Sequence, residues 1–112
     1  MFRDARVDVF ASSHTCLPAL RAFDCGVVAN NGAAGMPNHE GTRFGLITRI
    51  SRTSYRGPDR LRGLGKAGVH VDALRVDYDH ARWMKRFLAS WPEGSAAHAS
   101  YHARMVEGPR FA

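Results

Sequence analysis

The order of two hydrophobic periodicities most constrains how this chain of 112 residues can fold. Alternation of apolar and polar residues comes first, and helical spacing of apolar residues appears only after residue 79. Four or five strands are predicted, at 6–12, 17–23, 27–30, 43–51 and 69–78. Two helices follow at about 80–90 and 96–106, with Asp79 and Ser95 as N-caps. Strands followed by helices favour an α+β fold in which helices pack on a sheet.

The chain is short enough for a single domain, 1–112, with three parts. Strands and a glycine-rich turn occupy 1–52. The segment 53–68 is polar and rich in glycine, and we expect it to form a flexible exposed loop. A strand and the two helices occupy 69–112. A shift in the apolar phase near Ala73 and Leu74 predicts a β-bulge there.

The helices carry a stripe of apolar residues at spacings of three and four, formed by Met84, Phe87, Leu88 and Trp91. Trp83 and Tyr101 add further aromatic rings. Aromatic side chains can stack on nucleic-acid bases, but at helical spacing they are more often part of a core. We therefore expect these rings to be packed inside the protein.

Composition excludes several classes of protein and leaves an anionic partner open. No run of 18 apolar residues exists and the N-terminus is charged, so neither a membrane span nor a signal peptide is predicted. Cys16 and Cys25 are too few for a disulfide scaffold, which favours a cytoplasmic setting. The net charge of +6 would attract phosphate esters or nucleic acid, although a compositional bias would also produce it. One looser cluster of arginines comprises Arg49, Arg52, Arg56, Arg60 and Arg62.

Candidate chemistry is concentrated where the first strand ends. His14 follows that strand and Cys16 comes two residues later, and imidazole and thiolate are both ligands for divalent transition metals. The glycine-rich turn 31–35 could let backbone N–H groups approach an anion. On spacing alone, one histidine near one cysteine is more often structural. The pair His98 and His102 could also share a metal on a helix face, but packing is the commoner role for such a pair.

Two short motifs, in order, resemble a known family. They are Ser13-His14-Thr15-Cys16 and Asn30-Asn31-Gly32-Ala33-Ala34-Gly35, followed by the strand Phe44-Gly45-Leu46-Ile47. Over about residues 6–50 this is similar to the C-terminal part of the calcineurin-like metallophosphoesterases, whose late motifs are Gly-His-x-His and Asn-x-Gly-Ser/Ala-x-Gly. The resemblance implies part of a four-layer αββα fold with two packed sheets. It also implies two divalent metals (manganese, iron or zinc) and a phosphate mono- or diester as substrate.

The resemblance assigns roles to five residues. It makes His14 a metal ligand and puts Cys16 in the place of a second histidine ligand, while Asn31, Gly32 and Gly35 shape the turn beside the phosphate. The family's Asp-x-His, Gly-Asp and Gly-Asn-His motifs are missing, and Asn38-His39-Glu40 copies the last of them only superficially, in the wrong order. No catalytic residue is therefore assigned. We expect a C-terminal fragment that is inactive alone: a truncated reading frame that lacks its N-terminal half, a degenerate relative, or a piece completed by another subunit. The open edges of an incomplete sheet also favour self-association into a homo-oligomer.

Two other functions stay open. The chain could be a small basic protein that binds an anion, including nucleic acid, without catalysis. It could also be a structural or oligomerising module with no site.

Overall fold

A computed structural model describes residues 2–110, which form six strands and three helices. The first half contains α1 (Phe2–Ala5), β1 (Val9–Ser12), β2 (Ala19–Phe23), β3 (Gly26–Asn30) and β4 (Gly45–Ser51). The second half contains β5 (Arg60–Lys66), β6 (Val69–Val76), α2 (His80–Ser90) and α3 (Ala96–Glu107). The α+β class is confirmed, with two small sheets and the two longer helices at the C-terminal end. No helix among these residues is long and apolar enough to cross a membrane.

Each sheet has three strands. The first sheet has the order β1-β3-β2, in which β1 runs parallel to β3 and β2 antiparallel to it. The second sheet has the order β4-β6-β5 and is entirely antiparallel. In the first sheet Ser12 lies opposite Asn30. Because β1 and β3 are parallel neighbours, the segments that follow them leave the sheet at the same edge.

A small apolar core joins the two sheets. Leu20, Val27 and Ala29 come from the first sheet, and Val71 from the second. Val71 is fully buried at the centre of its sheet, since β6 lies between β4 and β5. Two backbone carbonyls of β2 accept hydrogen bonds from β5, at Leu20 from Arg62 and at Phe23 from Lys66. The basic residues of β5 therefore help to hold the sheets together.

The prediction of a loop over 53–68 was wrong for half of its length, because β5 occupies Arg60–Lys66. Glycines are depleted in strands, so Gly63 and Gly65 made the segment look irregular. Position 63 requires glycine because there is no room for a side chain. A Cβ on it would lie 2.2 Å from the Asp72 carboxylate oxygen, which is held by Arg60. Strands marked by glycine often allow such a close approach. Residues 2–110 therefore contain six strands rather than the four or five expected.

The hairpin that joins β5 to β6 turns through Ala67 and Gly68, both of which have positive φ (52° and 73°). A two-residue turn of this kind matches the twist of antiparallel strands. The predicted bulge lies in this pair of strands, where the register shifts between Arg60 and Arg62, opposite Leu74 and Ala73. The irregularity is thus at the expected position, with the extra residue in β5.

The helix caps are confirmed, but the buried stripe is not. The Asp79 carboxylate accepts from the backbone N–H of Arg82, and the Ser95 hydroxyl from that of His98. Of the predicted stripe Phe87 is buried and Met84 half-buried, while Leu88 and Trp91 are 42% and 49% exposed. Tyr101 on α3 is also 48% exposed. The amphipathic pattern is present in α2, but the described residues leave much of its apolar side exposed.

The protein exposes more surface than a compact monomer of its mass. The accessible area is 7648 Å², whereas a compact chain of 12.4 kDa exposes about 6,100 Å². The radius of gyration is 16.4 Å, against about 13 Å for a compact domain of this length. The excess of about 1,500 Å² is comparable with the area that one partner contributes to a large obligate interface.

Candidate functional site

The two motifs of the phosphoesterase resemblance lie side by side. The His14 motif follows β1 and the glycine-rich turn follows β3, and these parallel strands end together with Ser12 opposite Asn30. A further backbone hydrogen bond runs from the N–H of Asn31 to the carbonyl of Ser12. Two segments separated by 17 residues in the sequence therefore meet at one sheet edge.

The side-chain amide of Asn30 joins these segments. Its nitrogen donates to Thr15 Oγ1 at 2.9 Å, to Ser12 Oγ at 3.2 Å and to the carbonyl of Ser13 at 3.3 Å. Its oxygen accepts from the backbone N–H of Gly32 at 2.8 Å. One side chain thus fixes the position of the His14 loop relative to the turn. Sequence reasoning placed Asn30 in the motif but did not assign it this role.

His14 and Cys16 both have a backbone conformation that L-residues rarely adopt. Their φ angles are 75° and 55°. The N–H of Thr15 donates to the carbonyl of Ser13 at 2.9 Å, which closes a three-residue γ-turn around His14. Positive φ at a non-glycine residue stores strain, and such strain is concentrated at functional sites. The phosphoesterases that this motif resembles have glycine at its start. Here Ser13 stands in that place with an ordinary φ, and His14 has the unusual one.

Cys16 is anchored at its backbone and nearly free at its thiol. Its carbonyl accepts from Arg104 of α3 at 3.3 Å, and its Sγ makes a weak hydrogen bond of 3.5 Å to the carbonyl of His14. The thiol is half-buried and the His14 side chain is exposed. Both donor groups are therefore accessible from the same loop.

A buried asparagine that sequence reasoning missed shapes the glycine-rich turn. Asn38 is fully buried. Its amide oxygen accepts from the N–H of Ala33 at 2.6 Å, and its nitrogen donates to the carbonyls of Ala33 and Met36 at 2.7 and 3.2 Å. Gly32 has φ 69°, and a Cβ on it would lie 2.2 Å from the Asn38 oxygen. Asn38 thus has a structural role, and its neighbour His39 is exposed, as expected for a loop residue.

Hydrogen bonds and close packing also hold the turn against the start of β4. The N–H of Leu46 donates to the carbonyl of Ala33 at 2.9 Å, and the Asn31 amide donates to the carbonyl of Leu46 at 3.2 Å. A Cβ on Gly45 would lie 1.7 Å from the carbonyl oxygen of Ala34, so only glycine fits there. Gly35 differs from these glycines, because it faces open space and borders a cavity beside α2.

The donors present do not make a complete metal centre. Among residues 2–110 no three His, Cys, Asp or Glu side chains come together in a way that could hold a metal ion. His14 and Cys16 are two donors, whereas a structural or catalytic zinc site takes at least three protein ligands. On α3, the His98 and His102 rings stack at 4.4 Å and both lie near Phe87. That pair is engaged in packing.

The arginine cluster is partly neutralised by a buried acid. Asp72 is 2% exposed and pairs with Arg60 at 2.7 Å and Arg49 at 3.1 Å. It lies on β6, the central strand of the second sheet. Arg49 also stacks over Tyr55, whose hydroxyl donates to Asp59 at 2.7 Å. The hydrogen bond to the Asp59 carboxylate is the main reason that the pKa of Tyr55 is raised.

Comparison of the chain with protein-family models, with curated proteins and with solved structures found no match.

Proposed function

We propose that this chain is the C-terminal part of a metal-dependent phosphoesterase of the calcineurin-like kind, which hydrolyses a phosphate mono- or diester only when the rest of its site is supplied. The observation that carries the proposal is the meeting of the two motif segments at one sheet edge through Asn30. A chance match of short motifs would not require the two segments to be neighbours. In this proposal the two sheets are the C-terminal part of a four-layer αββα fold.

The strained loop gives independent support. Positive φ occurs at four non-glycine residues among those described, and two of them are His14 and Cys16. Left-handed backbone at a non-glycine residue costs about 1–2 kcal/mol. A chain that needed only a turn here could use glycine at both positions at no such cost. Retention of imidazole and thiol at strained positions is what a ligand role would require.

The exposed surface supports the need for a partner segment. β1 is an edge strand of the first sheet. Phe10 on this strand and Val7 just before it are each 37% exposed. Unpaired edges and exposed apolar side chains are a liability in a free monomer. We propose that the missing N-terminal half, or a second copy, covers this edge and contributes the remaining metal ligands. Within the chain itself, His14 and Cys16 supply donors, and Asn31, Gly32 and Gly35 shape the turn beside the phosphate.

The isolated chain is therefore expected to be inactive. The purified chain, assayed with an aryl phosphate and added manganese, should show no turnover above the rate without protein. Robust turnover would contradict the fragment proposal, because two donors cannot build the site. The cysteine content favours a cytoplasmic setting for the whole enzyme.

The DNA upstream of Met1, translated in the same frame, is the second test. Asp-x-His, Gly-Asp and Gly-Asn-His motifs in that order would support a truncated enzyme. A polypeptide that carries them, mixed with this chain, should then restore turnover that His14→Ala abolishes and His39→Ala leaves intact. His39 is a matched control because it is an exposed histidine in a nearby loop. Stop codons and unrelated sequence upstream would exclude the truncated reading frame.

A basic anion-binding protein is the second candidate, and one observation favours it. Beside Asp72 lies a polar cavity of about 390 Å³ whose walls include Ser54, Arg56, Arg60 and His70. Binding of nucleic acid or phosphate that weakens steeply with salt, without sequence preference, would support it. If Arg56→Gln loses that binding and His14→Ala keeps it, this candidate is favoured over the phosphoesterase.

A further inference from the structure

The cavity beside Gly35 has no role in the arrangement described so far. It measures about 420 Å³ and lies between the glycine-rich turn and the start of α2. Its walls are formed by Ala34, Gly35, Val76, Tyr78, Asp79, Arg82, Trp83 and Arg86. Cavities of this size hold small organic ligands in many proteins.

The walls combine aromatic rings with cations. Trp83 and Arg86 are three residues apart on α2, and Arg82 lies four before Arg86, so all three share one side of the helix. Both arginines are exposed at the rim, and Asp79 is the one acid among the lining residues. The Asp79 carboxylate accepts the backbone N–H of Arg82 and caps the helix, and with the two guanidinium groups it leaves the lining a net charge of +1. Guanidinium groups bind phosphate bidentately, and indole and phenol rings stack on planar ligands.

Two of the lining residues carry a buried polar atom that has no hydrogen-bond partner among residues 2–110. These atoms belong to the Tyr78 hydroxyl and the Trp83 indole N–H. An unpaired buried donor is destabilising, and in a native structure such a group needs an explanation, for example a bound water or ion. Burial also raises the pKa of Tyr78, so the hydroxyl stays protonated and able to donate at neutral pH.

We propose that this cavity binds the organic part of the phosphate ester, and that the preferred esters carry a planar aromatic group, as in an aryl phosphate or a nucleoside monophosphate. The inference rests on the proposed function, since Gly35 belongs to the turn beside the phosphate. The ring lies against Trp83 and Tyr78, and Arg82 and Arg86 meet the anionic end at the rim. A sugar phosphate that carries no planar aromatic ring cannot stack on Trp83 or Tyr78.

Gly35 offers a direct test. Its φ is not in the left-handed region, and a Cβ built on it meets no atom within 4 Å, so Gly35→Val is accommodated by the backbone and extends into the cavity. Gly65→Val is the matched control, because Gly65 also has an ordinary φ and its Cβ would make only ordinary contacts. Arg86→Gln removes one rim cation, and Lys85→Gln removes an equal charge from the same helix outside the cavity.

The measurement is Trp83 fluorescence in a Trp91→Phe background, which leaves one tryptophan. AMP should quench it saturably with a Kd on the order of 1 mM or tighter, and ribose 5-phosphate should bind about tenfold more weakly or worse. Gly35→Val and Arg86→Gln should each weaken AMP binding about tenfold, and the two controls should leave it unchanged. Circular dichroism confirms that each variant is folded.

Three results would overturn the inference: no saturable AMP binding, equal binding of AMP and ribose 5-phosphate, or equal AMP binding by Gly35→Val and the parent. None of these measurements needs metal or turnover. Failure of the cavity inference therefore leaves the phosphoesterase proposal standing. Conversely, if AMP binds but the sequence upstream of Met1 is unrelated, the cavity inference is supported and the truncated-enzyme proposal is excluded.

Discussion

Replacement of His14 by glycine should make the protein more stable, although a histidine is lost. The side chain of His14 is exposed, so its removal forfeits little packing. Its backbone has φ 75° inside a γ-turn. Relief of left-handed strain is worth about 1–2 kcal/mol, and the extra freedom of glycine in the unfolded chain takes back about 0.5–1 kcal/mol. The net gain should be about 0.5–1 kcal/mol, equivalent to a rise of roughly 2–4 °C in Tm.

Urea unfolding followed by circular dichroism measures this gain. Thr15→Gly is the matched control in the same loop, because Thr15 is not among the residues with positive φ. Its hydroxyl accepts from Asn30 at 2.9 Å and from the N–H of Leu17 at 3.4 Å, so that variant should lose about 1–2 kcal/mol. A His14→Gly variant less stable than the parent would refute the strain argument, and with it one of the supports for a ligand role.

Three further variants test other parts of the structure by urea or thermal unfolding. Asn38→Ala removes three buried hydrogen bonds to Ala33 and Met36, so stability should fall by about 3 kcal/mol, and a loss below about 1 kcal/mol would contradict the role given to Asn38. Ala67→Gly relieves φ 52° in the hairpin turn and should raise stability by about 0.5–1 kcal/mol; a loss would exclude the assigned turn. Burial raises the pKa of Tyr78. Its contribution to the free energy of unfolding is therefore present below the ordinary tyrosine pKa near 10 and is lost as pH rises further. Tyr78→Phe should flatten the alkaline end of the stability profile, and an unchanged profile would contradict that cause.

Much of the fold could be predicted because local signals agreed with the tertiary structure. The alternation over 43–51 became β4, and the Asp79 and Ser95 caps begin the helices at the expected residues. β5 was missed because the glycines that allow Asp72 to pair with Arg60 also erase the strand pattern. A sequence shows composition, but it does not show which distant side chain needs the space.

The candidate site was predictable only in part, for a similar reason. The motifs identified His14 and the turn, and the parallel pairing of β1 with β3 brings them together. The pattern could not reveal that the Asn30 amide joins the two segments, since those bonds link residues 15–18 positions apart. Nor could it show that Asn38 is buried under the turn, because asparagine after proline is equally typical of an exposed loop.

The burial of the helix aromatics was over-predicted because periodicity reports which residues share a face, and not what covers that face. Trp91 and Tyr101 lie on the apolar sides of their helices and remain about half exposed. Together with the excess accessible surface, this exposure is what a chain completed by another segment would show.

Cobalt binding to the isolated chain tests the central claim most directly, namely that His14 and Cys16 are metal ligands. Cobalt(II) is a spectroscopic substitute for zinc, and its bond to a thiolate produces an intense near-ultraviolet absorption. Because His14 and Cys16 are only two donors, the proposal predicts weak binding, with a thiolate absorption that grows with cobalt concentration and is retained in Cys25→Ser, whose thiol lies in the turn between β2 and β3. It should be lost in Cys16→Ser and strongly weakened in His14→Gly. An absorption that survives Cys16→Ser, or that depends on Cys25, would contradict the proposed site.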